Sequence, residues 1–360
     1  MKEDMKPERR RFLRAGSLLL GGLGLQTVGL PVPGLATASA RASGGNLVYV
    51  GLGGSYERAI RAAVFAPFAS ANGITLYVTT GGSNVPKIAA MVNANRTDWD
   101  LVDAQGTTLA QFIAARLLEE LDTSIIEVSG LFDLSKVTKY SVPWYQFSLN
   151  LFWNGSAVRG TMSSWADLWD VKKFPGKRGL SKLPWFSLEI ALLADGVDMR
   201  KLYPLDVDRA FASLDRIKPH AVFLTTSALA NAASAQDVVA GILSLGRVKA
   251  IQKSGINLKY SWDQAVVDIE QLVVLRGAPD RENAMRAIAY SITPEPQKRV
   301  LASLGYAPTL KSVLDAIAPE QAKDLPGTAA TAANSFYLNS AWWGEHGASV
   351  GNRWEAWLAS

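Results

Sequence analysis

The 360-residue chain contains no cysteine and only two histidines, His220 and His346. The first absence removes disulfides, thiolate metal sites and cysteine nucleophiles together. The second argues against a histidine-based metal cluster, and neither histidine has an obvious Ser/Asp arrangement around it. No G-x-S-x-G elbow is present, so catalysis is poorly supported. Charge is sparse, with 19% charged residues and a formal net charge of +5. Residues 1–38 hold Lys2, Lys6, Arg9, Arg10, Arg11 and Arg14 against Glu3, Asp4 and Glu8, a net of +3. About +2 is left for the remainder, too little to argue for nucleic acid. No later segment reaches the ~20 apolar residues that a transmembrane helix needs. What the chain does have is 48% hydrophobic content over 360 residues, which favours two domains with a core each.

The leader is a strong local signal. Glu8-Arg9-Arg10-Arg11-Phe12-Leu13-Arg14 precedes a mild, Gly- and Leu-rich apolar run, and small residues follow at Ala36-Thr37-Ala38 and Ala38-Ser39-Ala40. The Arg pair with Phe-Leu after it resembles the twin-arginine export signal, with Glu8 in place of Ser or Thr and Arg14 in place of Lys. The run ends in Pro31 and Pro33 and is short for a span, so export of a folded protein is expected over anchoring. Residues 1–40 are read as a removable signal peptide and the mature protein as periplasmic.

Beyond a Gly/Ser linker, strand-like stretches at 46–50, 74–79 and 99–103 alternate with helical stretches at 57–71, 85–95 and 109–115. This rhythm predicts a mainly parallel sheet with helices on its faces and a ligand at the carboxyl ends of the strands. Gly51-Leu52-Gly53 opens like G-x-G-x-x-G, but Tyr56 holds the sixth position and Thr79-Thr80 replaces the ribose-binding acid, so a dinucleotide site is improbable and no cofactor is expected. Residues 140–170 form a long alternating run (Phe147, Leu149, Leu151, Trp153) past Val142-Pro143, then a break at Asn154-Gly155 and a fresh helix. A strand too long for one compact lobe predicts a crossing between two lobes. A second α/β unit follows, and residues 260–274 read as the return crossing, in two strands split near 263. The Trp-rich residues 340–358 read as a helix pair.

Several segments together resemble the polyamine-type (spermidine/putrescine-like) periplasmic solute-binding proteins of ATP-binding-cassette importers. They are Tyr140-Ser-Val-Pro143, Asn154-Gly155-Ser156-Ala157-Val158, Ser164-Trp-Ala-Asp-Leu-Trp169, Glu282-Asn-Ala-Met-Arg286 and Gln297-Lys-Arg-Val-Leu301 with Gly305-Tyr306-Ala307-Pro308. Trp342-Trp343 and Arg353-Trp354-Glu355-Ala356-Trp357-Leu358 complete the set. The resemblance covers roughly residues 46–358. It implies an α/β, two-lobed type II periplasmic-binding fold with the ligand in the inter-lobe cleft. The expected division is 45–147 with 267–312 as one lobe, 148–266 as the other, and 313–360 as C-terminal helices packing mainly on the second. A monomer delivering solute to an inner-membrane permease is implied.

Carried over position by position, the resemblance keeps Tyr56 of an aromatic pair and places Asp268 and Glu270 at the family's Trp-x-Asp anchor. The second pair of carboxylates falls on Lys182 to Phe186, which contain none, and an expected aromatic falls on Ser244. A linear diamine needs acceptors at both ends, because an unpaired buried ammonium costs several kcal/mol. The candidate ligand residues are Ser55, Tyr56, Ser83, Asn84, Asp103, Trp185, Phe186, Arg247, Asp268 and Glu270. Aromatic faces and acids suit a cation, whereas the glycine-rich helix starts and Arg247 suit an anion. The expected solute is an amine or a zwitterion with one amine and one anionic end. An anion-type or iron(III) receptor of the same fold, or an exported α/β enzyme, stands as the alternative. Trp165, Trp169, Trp342, Trp343, Trp354 and Trp357 follow helical spacing and read as packing.

Overall fold

In the computed structural model, which describes residues 44–82 and 84–360, ten strands form one mixed sheet. The expected leader, 1–40, and Ser83 lie outside the described residues. In chain order the strands are β1 (Asn46–Gly51), β2 (Thr75–Thr80), β3 (Leu101–Gln105), β4 (Ser141–Asn154), β5 (Arg178–Ser181), β6 (Ala221–Leu224), β7 (Ala240–Ser244), β8 (Leu258–Val274), β9 (Ala307–Pro308) and β10 (Ser335–Tyr337). Across the sheet they lie β2-β1-β3-β8-β4-β7-β5-β6, with β9 beside β4 and β10 beside β8. The outer trios β2-β1-β3 and β7-β5-β6 pair in parallel, as expected of strand–helix–strand units. Helices return the chain between them, the first over residues 54–72 with one wide turn at Arg61–Phe65.

The two long strands join the trios. β4 and β8 pair antiparallel from Ser141↔Val273 to Asn154↔Leu258, and all 14 residues of β4 are buried. The expected outward and return crossings are therefore direct neighbours. Residues 258–274 form one strand rather than two. Leu149 pairs with Val266 and Leu151 with Ser261, so the intervening residues of β8 bulge outward, with Gln264 at φ 60°. A bulge bends a strand without ending it, which a sequence pattern reads as a break. Trp165 Nε1 donates to the Gln264 carbonyl at 2.9 Å and holds the bulge.

The chain ends in one helix, Ser340–Ala359, where the sequence suggested a pair. Its glycines permit close approach instead of breaking it. A Cβ on Gly344 would lie 2.7 Å from the Ala110 Cβ, while Trp343, Val350 and Trp354 bury the inner face. Near its start Ser340 packs on Gly106, after β3. Toward its end Trp354 Nε1 donates to the Lys182 carbonyl at 2.7 Å, after β5.

The turn that leads into β5 is anchored by a buried guanidinium. Arg178 is 0% exposed, and it donates to the carbonyls of Leu168 (2.8 Å), Gly176 (2.7 Å) and Phe174 (2.5 Å). A lysine ammonium keeps the charge but lacks the planar fork that reaches several carbonyls at once. Each buried carbonyl left unpaired costs about 1–3 kcal/mol. Arg178→Lys is therefore expected to lose about 3 kcal/mol, read as a lower urea midpoint with an unchanged slope. An unmoved midpoint would show that these carbonyls find other donors.

Candidate ligand-binding site

A cavity of about 370 Å³ opens where the strands end. β1 leads into Leu52 and Tyr56, and β3 into Gln105, Thr108 and Gln111. β5 leads into Leu183, Trp185 and Phe186, β6 into Thr225, Thr226 and Ser227, and β7 into Ser244 and Arg247. The crossing strands supply the back wall, with Tyr145, Phe147 and Leu149 from β4 and Glu270 from β8, and Tyr306 closes it just before β9. The period-two geometry of β4 puts its three residues on one face. Tyr145 is directly opposite Glu270 in the register.

One corner is aromatic and acidic. Tyr145 and Tyr306 stack at 4.9 Å and 22°, with Tyr56 and Phe147 6.1–6.5 Å from the Tyr306 ring. Glu270 is 2% exposed. Its carboxyl titrates well above the usual range, because burial disfavours the charge and Asp103 and Asp268 repel it, against hydrogen bonds from Tyr145 and Gln105. Burial likewise pushes Tyr306 up, while Arg247 pulls it back and Glu270 adds to the rise. Tyr306 thus feels a carboxyl and a guanidinium at once.

The other walls favour negative charge. Helices Gly106–Ala114, Thr226–Ser234 and Leu245–Lys253 begin at Gln105, Thr225 and Ser244, all of which line the cavity. Their free N–H groups and positive dipole ends meet there. Arg247 is half-buried and enters no ion pair among the described residues. The Trp185 Nε1 is shielded from solvent and has no protein acceptor. Phe186 is held at φ 73°, ψ −44°, outside the ordinary range for a residue with a side chain.

Of the ten residues named from sequence, Tyr56, Trp185, Phe186, Arg247 and Glu270 line this cavity. Asp103 sits one layer behind, where its Oδ2 accepts the hydroxyls of Tyr49 and Tyr56. Asp268 shares the Glu270 face but lies aside, 3% exposed, its Oδ1 accepting the Ile269 N–H at 2.8 Å and its Oδ2 unpaired. Ser55 and Asn84 are exposed and outside the lining, and Asn84 caps its own helix through Lys87 N. Ser83 is not among the described residues. The sequence reading missed Tyr145 and Tyr306 and the hydroxyl group Thr225–Thr226–Ser227. A run of small hydroxyl residues straight after a short apolar strand was the available signal for the last. Among the described residues no helix is long and apolar enough to cross a membrane.

The profile of the bacterial extracellular solute-binding protein family matches residues 63–330. The chain is 31% identical to the gamma-aminobutyric acid-binding protein of Pseudomonas aeruginosa, over 91% of this chain and 95% of that one. It is 22% identical to the spermidine/putrescine-binding periplasmic protein of Escherichia coli, over 89% of each. Among solved structures, the PBP AgtB from A. tumefaciens R10 in complex with agropinic acid superposes with a TM-score of 0.82 at 32% identity, covering 88% of this chain and 99% of that one. A GABA receptor does so at 0.79 and 36% identity, covering 87% and 97%.

The buried acids set a pH dependence. Burial, with the Glu57 charge adding, pushes Asp103 up to about 7, and burial with Glu189 does the same to Asp268. Unfolded, both ionise near 4. The fold therefore binds more protons than the unfolded chain between about pH 4 and 7, and stability falls as pH rises through that window. Asp195 and Asp167 are shifted down, and their contribution is complete by about pH 5, so it does not move in this range. The ligand-free protein should unfold at a higher urea midpoint at pH 5 than at pH 8, and Asp268→Asn should shrink the difference. A flat profile over that range would mean that both acids ionise in the fold as they do in water.

Proposed function

The chain belongs to the bacterial extracellular solute-binding proteins, and on that premise we propose that it captures a short zwitterion, with one ammonium and one carboxylate, for an ATP-binding-cassette importer. The observation that carries the reading is Glu270 and Arg247 lining one cavity, both acting on Tyr306 and not paired with each other. A carboxyl and a guanidinium held apart in a shielded space each lack a counter-charge until a ligand supplies both partners. The ammonium would lie at Glu270 among the faces of Tyr56, Tyr145 and Tyr306, where cation–π contacts contribute roughly 0.5–2 kcal/mol each. The carboxylate would take Arg247, the Trp185 N–H and the helix starts at Thr225 and Ser244.

A γ-aminobutyrate-like ω-amino acid has this charge pattern, as the names of two of the relatives suggest. A linear polyamine fits less well, since its second ammonium would meet Arg247 and three positive helix ends. The expected lobes, 45–147 with 267–312 and 148–266, would close on the solute about β4 and β8. The leader 1–40 would direct twin-arginine export to the periplasm. There the protein, as a monomer, would hand its solute to an inner-membrane permease. The family's members bind solutes and are not enzymes.

Calorimetry on the mature protein tests this. γ-Aminobutyrate is expected to bind more tightly than putrescine or spermidine and to raise the unfolding temperature by linkage. Arg247→Gln should weaken γ-aminobutyrate at least tenfold, about 1.4 kcal/mol, and leave putrescine unchanged or tighter. Tighter binding of putrescine than of any ω-amino acid by the wild type would overturn the zwitterion reading.

A further inference from the structure

The aromatic corner of the cavity has a second layer behind the residues that line it. Asp103 is 0% exposed and lies on β3 behind Tyr56. Its Oδ2 accepts the Tyr56 hydroxyl at 2.7 Å and the Tyr49 hydroxyl from β1, while its Oδ1 is buried without a partner. The Tyr56 and Tyr145 hydroxyl oxygens are 2.7 Å apart. Only Tyr56 and Tyr145 of this group line the cavity.

A hydroxyl has one proton, and this fixes the direction of the chain. When Asp103 is ionised it takes the Tyr56 proton, so the contact between the two tyrosines must be filled by the Tyr145 proton. The chain then runs Tyr145 to Tyr56 to Asp103, and the oxygen left at the cavity is an acceptor. When Asp103 is protonated the chain can run the other way, and Tyr145 donates toward Glu270, against any ammonium placed there. We propose that Asp103 is a positioning residue for the ammonium end of the site: by drawing the hydroxyl protons inward it turns the Tyr145 oxygen beside Glu270 into an acceptor, and so selects an ammonium group over a hydroxyl. This rests on the amine-binding reading of the cavity given above.

A second consequence follows from the charges that face Asp103. They are Tyr49 on β1, Tyr56 and Glu57 on the first helix, Tyr145 on β4 and Glu270 on β8, and none is positive. Burial holds both carboxyls above their usual range, with Glu57 adding to the rise of Asp103 and Asp103 to that of Glu270, so this shielded wall retains a proton until a cation reaches it. When an ammonium arrives, one O–H bond breaks and the proton leaves to solvent. One positive charge replaces another, and affinity rises with pH between 6 and 8 while the ligand amine stays protonated.

Asp103→Asn imitates the protonated acid, since its amide N–H donates to Tyr56 and turns the chain outward. Titrations of γ-aminobutyrate and γ-hydroxybutyrate at pH 8 should show the wild type preferring the amine, and Asp103→Asn narrowing that preference at least tenfold. Tyr56→Phe keeps the ring, cuts the chain and should narrow it similarly, which covers the case of Asp103→Asn failing to fold. Calorimetry at pH 7 in phosphate and in Tris counts the protons released. The wild type should release between about half and one, and Asp103→Asn less than half of the wild-type number. A merely structural role for Asp103 would leave that number unmoved. Tyr49→Phe removes a hydroxyl that helps keep Asp103 ionised, so it should move the onset of the amine preference to higher pH. If γ-aminobutyrate does not bind, putrescine replaces it as the ammonium probe, with proton release and the effect of Asp103→Asn on its affinity as the readouts. Binding of neither amine overturns the amine-site reading and this inference with it. Binding with wild-type preference and proton count in Asp103→Asn and Tyr56→Phe overturns this inference alone.

Discussion

The antiparallel pairing of β4 with β8 is the constraint on which the site depends. β4 is buried along its whole length, so its backbone groups must be satisfied on both edges, by β8 on one side and by β7 and β9 on the other. A slip of one residue would turn Tyr145, Phe147 and Leu149 away from the cavity and bring Gln146 and Ser148 into it. Pro143 cannot donate to the ladder, and side chains fix the strand there. Thr309 Oγ1 donates to the Pro143 carbonyl at 2.9 Å, and Gln297 Nε2 donates to that of Trp144 while its Oε1 accepts the Thr309 N–H at 2.7 Å. The polar lock sets the register at the end where Tyr145 meets Glu270.

That register also concentrates acids. Asp103, Asp268, Glu270 and Glu189 are all buried, and none of them forms an ion pair among the described residues. Buried carboxyls without cations are costly as anions and hold protons instead. Their reliefs differ. Glu189 is served internally, its Oε1 accepting Tyr203 OH and Trp343 Nε1 at 2.7 Å each, and it ties the last helix to the cavity floor. Asp103 is served by two tyrosine hydroxyls. Glu270 lines the cavity, where under the proposed function a cation from outside the chain would relieve it. A site that is electrostatically incomplete when empty gains selectivity at the expense of stability.

How much of this was legible follows from which physical signals are local. Period-two runs gave the crossings and period-3.6 stretches gave the helices, so the strand–helix rhythm and the long β4 were readable from 46–154. The bulge at Gln264 and the unbroken last helix were not, because both depend on partners distant in sequence, Trp165 and Ala110. Within the site, Tyr56, Trp185, Phe186, Arg247 and Glu270 were named from residue type and place. Tyr145 was missed because on a strand buried along both faces alternation separates the two sides but does not show which faces a void. Asp268 and Glu270 share parity, yet only one reaches the cavity. Ser55 and Asn84 follow from glycine-rich loops, but their side chains are exposed outside the lining although Tyr56 and Val85 beside them line the cavity, and Asn84 is occupied with its own cap.

Phe186 shows where local preference gives way. Its positive φ costs on the order of 1–3 kcal/mol for a residue with a side chain. The position persists because its surroundings over-determine it. Ser187 Oγ donates to the Ser181 carbonyl at 3.0 Å, and Phe186 itself is 4% exposed. Trp185 is braced edge-on by Trp343 at 6.1 Å, and that indole is held by Glu189. Glycine at 186 would relieve the backbone but would delete a ring from the cavity wall and free the segment that presents Trp185. The strained aromatic is therefore best read as the cost of placing two ring faces and a shielded indole N–H at the cavity on a segment of only three residues between Leu183 and the regular helix.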